Sequence, residues 1–185
     1  MLANQPQQYR ILLVDDEEGI RYTLGTLLKK EGYLVDDAAD IHAATTLLQS
    51  ASYDMALIDI MLNGESGISL LSYIKSTCPE TQVVMCTGFP QVESAVEAVR
   101  LGAFDYITKP VRHETLMLVA RHALSTKTMN DERERYRANL DAIFNSVSDS
   151  IVMVDQKGKL AQFNATAGRI CGYSKEQIGS DLVTI

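Results

Sequence analysis

Five polar residues stand at the ends of short apolar runs. Asp15 and Asp16 follow Ile11-Leu12-Leu13-Val14, Asp59 follows Met55-Ala56-Leu57-Ile58, Thr87 follows Val83-Val84-Met85-Cys86, and Lys109 lies just past Phe104-Asp105-Tyr106-Ile107. Taken singly they read as ordinary residues: acids ahead of a helix, a loop threonine, a surface lysine. Gathered in one place they describe a reaction. Three carboxylates repel one another unless a cation neutralises them, and hard oxygen donors favour Mg²⁺, which keeps several waters and is shared with phosphoryl groups. A lysine ammonium and a threonine hydroxyl beside them would suit the equatorial oxygens of a transferring phosphoryl group. One carboxylate can then act as nucleophile and become an acyl phosphate; Asp59, on the middle run, is the candidate.

The surrounding sequence supplies elements that would gather them. Five apolar runs, the four above and Tyr33-Leu34-Val35, alternate with amphipathic stretches. Continuous rather than alternating apolarity predicts strands covered on both faces. Ile20, Leu24, Leu27 and Leu28 fall at helical spacing, as do Val92, Ala95, Val96 and Val99, and predict helices whose apolar stripes face the sheet. Asp40 is placed to cap a helix, Pro90 to start one, and Gly32 and Gly102 to end two others. Strand–helix alternation with short connections means parallel strands in an open α/β sheet. Each of the five polar residues then falls at a strand's carboxyl end, the edge where such sheets bind ligands.

Residues 10–124 resemble the receiver domain of bacterial two-component response regulators. The resemblance rests on Leu13-Val14-Asp15-Asp16-Glu17, Leu57-Ile58-Asp59-Ile60-Met61, Met85-Cys86-Thr87-Gly88 and Gly102-Ala103-Phe104-Asp105-Tyr106-Ile107-Thr108-Lys109-Pro110. It implies a (βα)5, doubly wound, flavodoxin-like fold with a five-stranded parallel sheet of order 2-1-3-4-5, over a domain spanning residues 8–125. It further implies that Asp59 is the phosphoacceptor and that Asp16, Asp59 and the Met61 backbone carbonyl bind Mg²⁺ directly, with Asp15 acting through metal-bound water. Thr87 would bind the phosphoryl group, Lys109 would pair with one of its oxygens, and Tyr106 would be the aromatic of the switch that turns inward. The Lys109-Pro110 bond resembles the family's cis peptide. The family usually carries Pro four residues after the phosphoacceptor; here Asn63 stands there, within Asn63-Gly64-Glu65-Ser66-Gly67, which predicts a less stiff loop.

From about Val111 the pattern becomes one long helix. Leu116, Val119, Ala120 and Ala123 form a stripe suited to the sheet; beyond a charged stretch, Met129, Tyr136, Leu140, Ile143 and Val147 return with the spacing of a weak coiled-coil seam. Residues 126–145 therefore read as a helical linker able to pair two chains into a homodimer. Residues 146–185 resemble the first part of a PAS sensor domain, on Leu140-Asp141-Ala142-Ile143-Phe144, Asp149 to Asp155, Gly158, Asn164-Ala165-Thr166-Ala167 and Gly172 to Gly179. Here two short strands around Gly158 predict a hairpin, Asn164 caps a short helix that Gly172 ends, and Cys171 reads as a core residue. No histidine follows His122, so this segment offers no histidine ligand for haem.

Composition narrows the rest. The 185 residues carry a net charge of −7, with 46 % apolar and 22 % charged residues, which excludes wholesale disorder and argues against a basic nucleic-acid-binding surface. All of the excess negative charge lies in residues 1–125. The longest apolar run, Leu116 to Ala120, is far too short to span a bilayer, and Met1 to Gln8 lack the basic and apolar regions of a secretory leader. Three cysteines without CxxC spacing read as reduced packing thiols, which fits a cytoplasmic protein with no membrane partner.

The resulting expectation is a phosphorylation-controlled regulator. A histidine kinase would donate to Asp59, and an effector beyond these residues would respond. The resemblance is strongest to nitrogen-regulatory-type transcription activators, whose AAA+ ATPase and helix-turn-helix follow the receiver; DNA would be met only through that effector, and the chain itself would be no enzyme beyond its own phosphoryl chemistry. The alternative is the receiver–PAS part of a hybrid histidine kinase or of a cyclic-dinucleotide signalling enzyme. An aspartyl phosphatase fits poorly because Met61 occupies the place of its second acid. A flavin-binding relative of the same architecture fits poorly because Asp15-Asp16-Glu17-Glu18 would repel a phosphate.

Overall fold

The computed structural model of the protein describes residues 8–181. The expectation for the Met1–Gln8 start, apart from its last residue, and the last four residues of the PAS-like segment lie outside them. Compact contacts divide the chain into two units, which meet between Asn130 and Asp131.

In the first unit, strands β1 (Arg10–Val14), β2 (Leu34–Ala38), β3 (Met55–Asp59), β4 (Gln82–Thr87) and β5 (Asp105–Thr108) form one parallel sheet. Their order is β2-β1-β3-β4-β5, the doubly wound arrangement predicted. Helices α1 (Glu18–Lys30), α2 (Ile41–Ser50), α3 (Gly67–Thr77) and α4 (Val92–Arg100), with the start of α5 (His113–Ser146), cover both faces. The continuous apolar runs follow from that double cover. Along β1, Leu12 and Val14 join one core cluster with Leu70, Leu71 and Ile74 of α3, whereas Ile11 and Leu13 join the other with Leu24, Leu28, Leu116 and Ala120. These four aliphatic side chains of β1 are fully buried, and each stabilises the fold by about 1.5–3 kcal/mol.

Local signals are met closely. The Asp40 carboxylate accepts the Ala43 N–H at 2.7 Å, and Gly32 and Gly102 adopt φ of 92° and 86° just past α1 and α4. The Lys109-Pro110 peptide is cis. In this unit three expectations need correction. Pro90 lies outside α4, whose cap is Gln91. Strand β2 starts after Tyr33 and runs on through Asp36 and Asp37, because at a sheet edge these carboxylates find partners in Arg10 and Arg21. The α4 stripe faces away from the sheet: Val92 is 75 % and Val99 67 % exposed, while the small side chain of Ala98 is buried. Periodicity located the helix, but only small residues fit its close approach to the sheet. Residues Met61–Leu62 and Glu65–Ser66 pair as a short antiparallel ribbon turned by Asn63 (φ 51°) and Gly64 (φ 88°), the left-handed pair of a type I′ turn.

The second unit holds the predicted hairpin, β6 (Val152–Val154) and β7 (Leu160–Phe163), and helix α6 (Ala165–Cys171), ended by Gly172 at φ 78°. Fully buried Asn164 organises it: Oδ1 accepts the Ile151 and Ala167 N–H groups at 3.0 and 2.9 Å, and Nδ2 donates to the Asp149 carbonyl at 2.9 Å. Cys171, expected in a core, is exposed: at the last position of α6 it falls off the face formed by Thr166 and Ala167. Seam residues Met129, Tyr136, Leu140 and Ile143 are exposed.

Candidate functional site

The sheet order puts the carboxyl ends of β1 and β3 side by side, with Val14 opposite Ile58. Asp15 and Asp16 leave β1 and Asp59 ends β3; one carboxylate oxygen from each lies within 4.8 Å of the others. Lys109, just beyond β5, reaches into the same edge, its ammonium 2.5 Å from Asp59 Oδ2, 2.6 Å from Asp15 Oδ2 and 3.8 Å from Glu17 Oε1. Asp15 is 2 % and Asp59 6 % exposed, so these ion pairs operate where solvent screens little. Burial pushes the Asp15 carboxyl above the ordinary aspartate range, against the pull of Lys109 and the Glu17 N–H. Burial also works against the charge on Lys109, but its hydrogen bonds to Asp15 and Asp59 outweigh it and hold the ammonium above its usual range. The neighbouring Cys86 thiol is pushed by burial up to about 12, which keeps it protonated and inert.

Each carboxylate is also held by one backbone amide. Glu17 N–H donates to Asp15 Oδ1 at 3.0 Å, Met61 N–H to Asp59 Oδ1 at 3.2 Å, and Asn63 N–H to Asp16 Oδ2 at 3.2 Å. Asp59 lies close under the start of α3: a Cβ built on Gly67 would stand 1.9 Å from the Asp59 carbonyl oxygen, so only glycine fits. Three hard oxygen donors on one edge, with lone pairs left after one amide each and the Lys109 ammonium on Asp15 and Asp59, suit a divalent cation such as Mg²⁺.

The remaining predicted residues lie on β4, β5 and the ribbon after β3. Thr87 is buried at the end of β4, and its hydroxyl accepts the Phe89 N–H at 3.1 Å. Tyr106 of β5 is half-buried, with its hydroxyl 3.2 Å from Ser94 Oγ of α4. Met61 sits on the ribbon two residues past Asp59. The sequence reading missed two residues. Arg21 of α1 donates through Nη1 to the carbonyls of both Asp15 (2.8 Å) and Asp16 (2.9 Å), and through Nε to Asp37 at 3.2 Å, clamping the loop that carries the acids. On a polar helix face it looks like any solvated arginine. Gly67 was visible only as a loop glycine.

Comparison with known proteins agrees with this geometry. Residues 11–121 match the response regulator receiver domain. A putative response regulator NtrX-like protein of Rickettsia bellii is 28 % identical over 93 % of the chain and 36 % of its own length. The alginate biosynthesis transcriptional regulatory protein AlgB of Pseudomonas aeruginosa is 34 % identical over 72 % of the chain and 30 % of its own. The crystal structure of NtrX from Brucella abortus in complex with ATP superposes with a TM-score of 0.65 at 38 % identity, over 68 % of this chain and 29 % of that one. The chain thus spans about a third of the length of the relatives it matches.

Proposed function

Since the chain belongs to the response regulator receiver family, we propose that Asp59 accepts a phosphoryl group from a phosphohistidine of a histidine kinase, and that Asp15, Asp16, Asp59 and the Met61 carbonyl serve the Mg²⁺ this transfer uses. The observation that carries this reading is the convergence of three carboxylates with the Lys109 ammonium on one sheet edge. Asp59 supplies the nucleophile: its oxygen forms the new O–P bond as the donor's N–P bond breaks, giving an acyl phosphate and a free histidine. When bound, the cation neutralises the charge of the cluster and the incoming phosphoryl oxygens. Lys109, already in reach of Asp59, pairs with one of those oxygens. Thr87 gives up the Phe89 N–H to bind another, and Tyr106, tied to α4 through Ser94, turns inward in response. Asp16, Asp59 and the Met61 carbonyl would ligate the cation directly and Asp15 through a water.

Residues 8–125 are read as the receiver, 126–145 as a linker helix that pairs two chains, and 146–185 as the start of a PAS domain. Extension of the Rickettsia alignment over 93 % of the chain supports a shared second module. The output is read as transcription activation by an ATP-using effector outside these residues, in the cytoplasm; this rests on the transcriptional role named for AlgB and the ATP bound by the Brucella protein. The direct test is incubation with Mg²⁺ and a small acyl-phosphate donor. Intact mass should show one added phosphoryl group on the chain and none on Asp59→Asn; an unchanged gain in that variant would falsify the assignment of Asp59.

A further inference from the structure

Asn63 sits where the receiver pattern usually has proline, and it does something proline cannot. Its backbone N–H donates to Asp16 Oδ2 at 3.2 Å. Proline has no N–H to give and its φ is fixed near −65°, whereas Asn63 stands at φ 51°. That left-handed backbone is what the tight turn of the Met61–Ser66 ribbon requires, and asparagine is among the few residues besides glycine that adopt it readily. The turn is fixed from outside as well. Asn63 Nδ2 reaches the Ala39 carbonyl at 3.4 Å, and the base of the ribbon is closed by Gly67 N–H on the Ile60 carbonyl at 2.7 Å. On this ribbon and its turn the amides of Met61 and Asn63 address Asp59 and Asp16 respectively.

We propose that Asn63 is a positioning residue for the cation: its amide presets the Asp16 carboxylate and couples it to the strand that carries Met61. One Asp16 oxygen is held while the other stays free to ligate, so the acid need not be ordered at the moment of binding. This rests on the Mg²⁺ reading above and adds a residue to it. A side chain whose lone pair were merely diverted by the amide would behave in the opposite way, and that contrast makes the idea testable.

The first measurement needs no metal. Hydrogen exchange of the Asn63 amide, followed by NMR in EDTA on the whole chain, should be at least about tenfold faster in Asp16→Ala than in the unmodified protein, the loss expected when a charge-assisted hydrogen bond is removed. Equal exchange rates overturn the latch itself. The second is calorimetric titration with Mg²⁺ of Asn63→Pro and Asn63→Gly. Glycine keeps the amide and accepts positive φ, so it should bind within about twofold of the unmodified chain, while proline should bind about tenfold more weakly. A general structural defect would instead lower the thermal midpoint of Asn63→Pro in EDTA without separating its Mg²⁺ affinity from that of Asn63→Gly, and that result, like tighter binding by Asn63→Pro, overturns the proposal. If the unmodified chain takes up no Mg²⁺, the cation reading of the cluster falls on its own, and the exchange experiment still decides whether Asn63 holds Asp16.

Discussion

At the scale of single residues, the site depends on contacts that leave no freedom to the backbone beneath them. Gly67 is the sharpest case. With a Cβ at 1.9 Å from the Asp59 carbonyl oxygen, backbone must move before any side chain can be accepted. Gly67→Ala should therefore destabilise the chain by about 3 kcal/mol, at the upper end of overpacking costs, measured as a lower denaturation midpoint with an unchanged slope. The same shift displaces Asp59, so phosphoryl acceptance should fall together with stability. The side chains that converge on the sheet edge were legible in the sequence because their types and their place after apolar runs are local facts. Gly67, Arg21 and the amide of Asn63 were not, because each acts through a contact with a chain segment distant in sequence.

At the scale of elements, the β1–β2–β3 edge opposite the site carries its own polar clamp. Asp36 accepts from Arg10 Nε at 2.6 Å and from the Tyr53 hydroxyl at 3.0 Å. The Arg10 hydrogen bond holds the Asp36 carboxyl below the usual aspartate range. A group with a lowered folded value adds stability that is full above its unfolded pKa, near 3.9, and is lost as pH falls through the folded value. Acid unfolding should accordingly steepen below about pH 4, and Arg10→Gln should flatten that decline. Tyr53 is the alkaline counterpart: burial and the Asp36 hydrogen bond push it up to about 12, so its contribution is full below about pH 10 and is lost as pH approaches 12. Tyrosinate absorbance should show a late-titrating phenol that is missing in Tyr53→Phe; no change in that variant would contradict the assignment. The strand boundaries followed from the sequence to within a residue except in β2, which runs three residues past Val35. The facing of α4 did not, because Val92, Val96 and Val99 mark an apolar stripe without saying whether sheet or solvent lies beside it.

At the scale of the whole molecule, the exposed seam residues of α5 set the expectation for assembly. Residues 1–146 should sediment as a dimer and residues 1–130 as a monomer; monomers in both would sink the paired-helix reading. The sheet order was recoverable because strand–helix alternation leaves few topologies, and chain resemblance selects one of them. One consequence of the double-faced core concerns the reading frame of β1. A strand covered on one side cannot slip by a residue without exposing its apolar set. In β1 such a slip only exchanges Leu12 and Val14 with Ile11 and Leu13, and both sets are at home in oil. The frame must come from the strand's ends. Arg10 provides it, its N–H on the Asp54 carboxylate at 2.7 Å and its guanidinium on Asp36. About 16 Å away along the strand, five steps at the usual rise, stand Asp15 and its neighbour Asp16. The far rim of the sheet thus acts as the zero mark of a ruler whose other end delivers the carboxylates to their place.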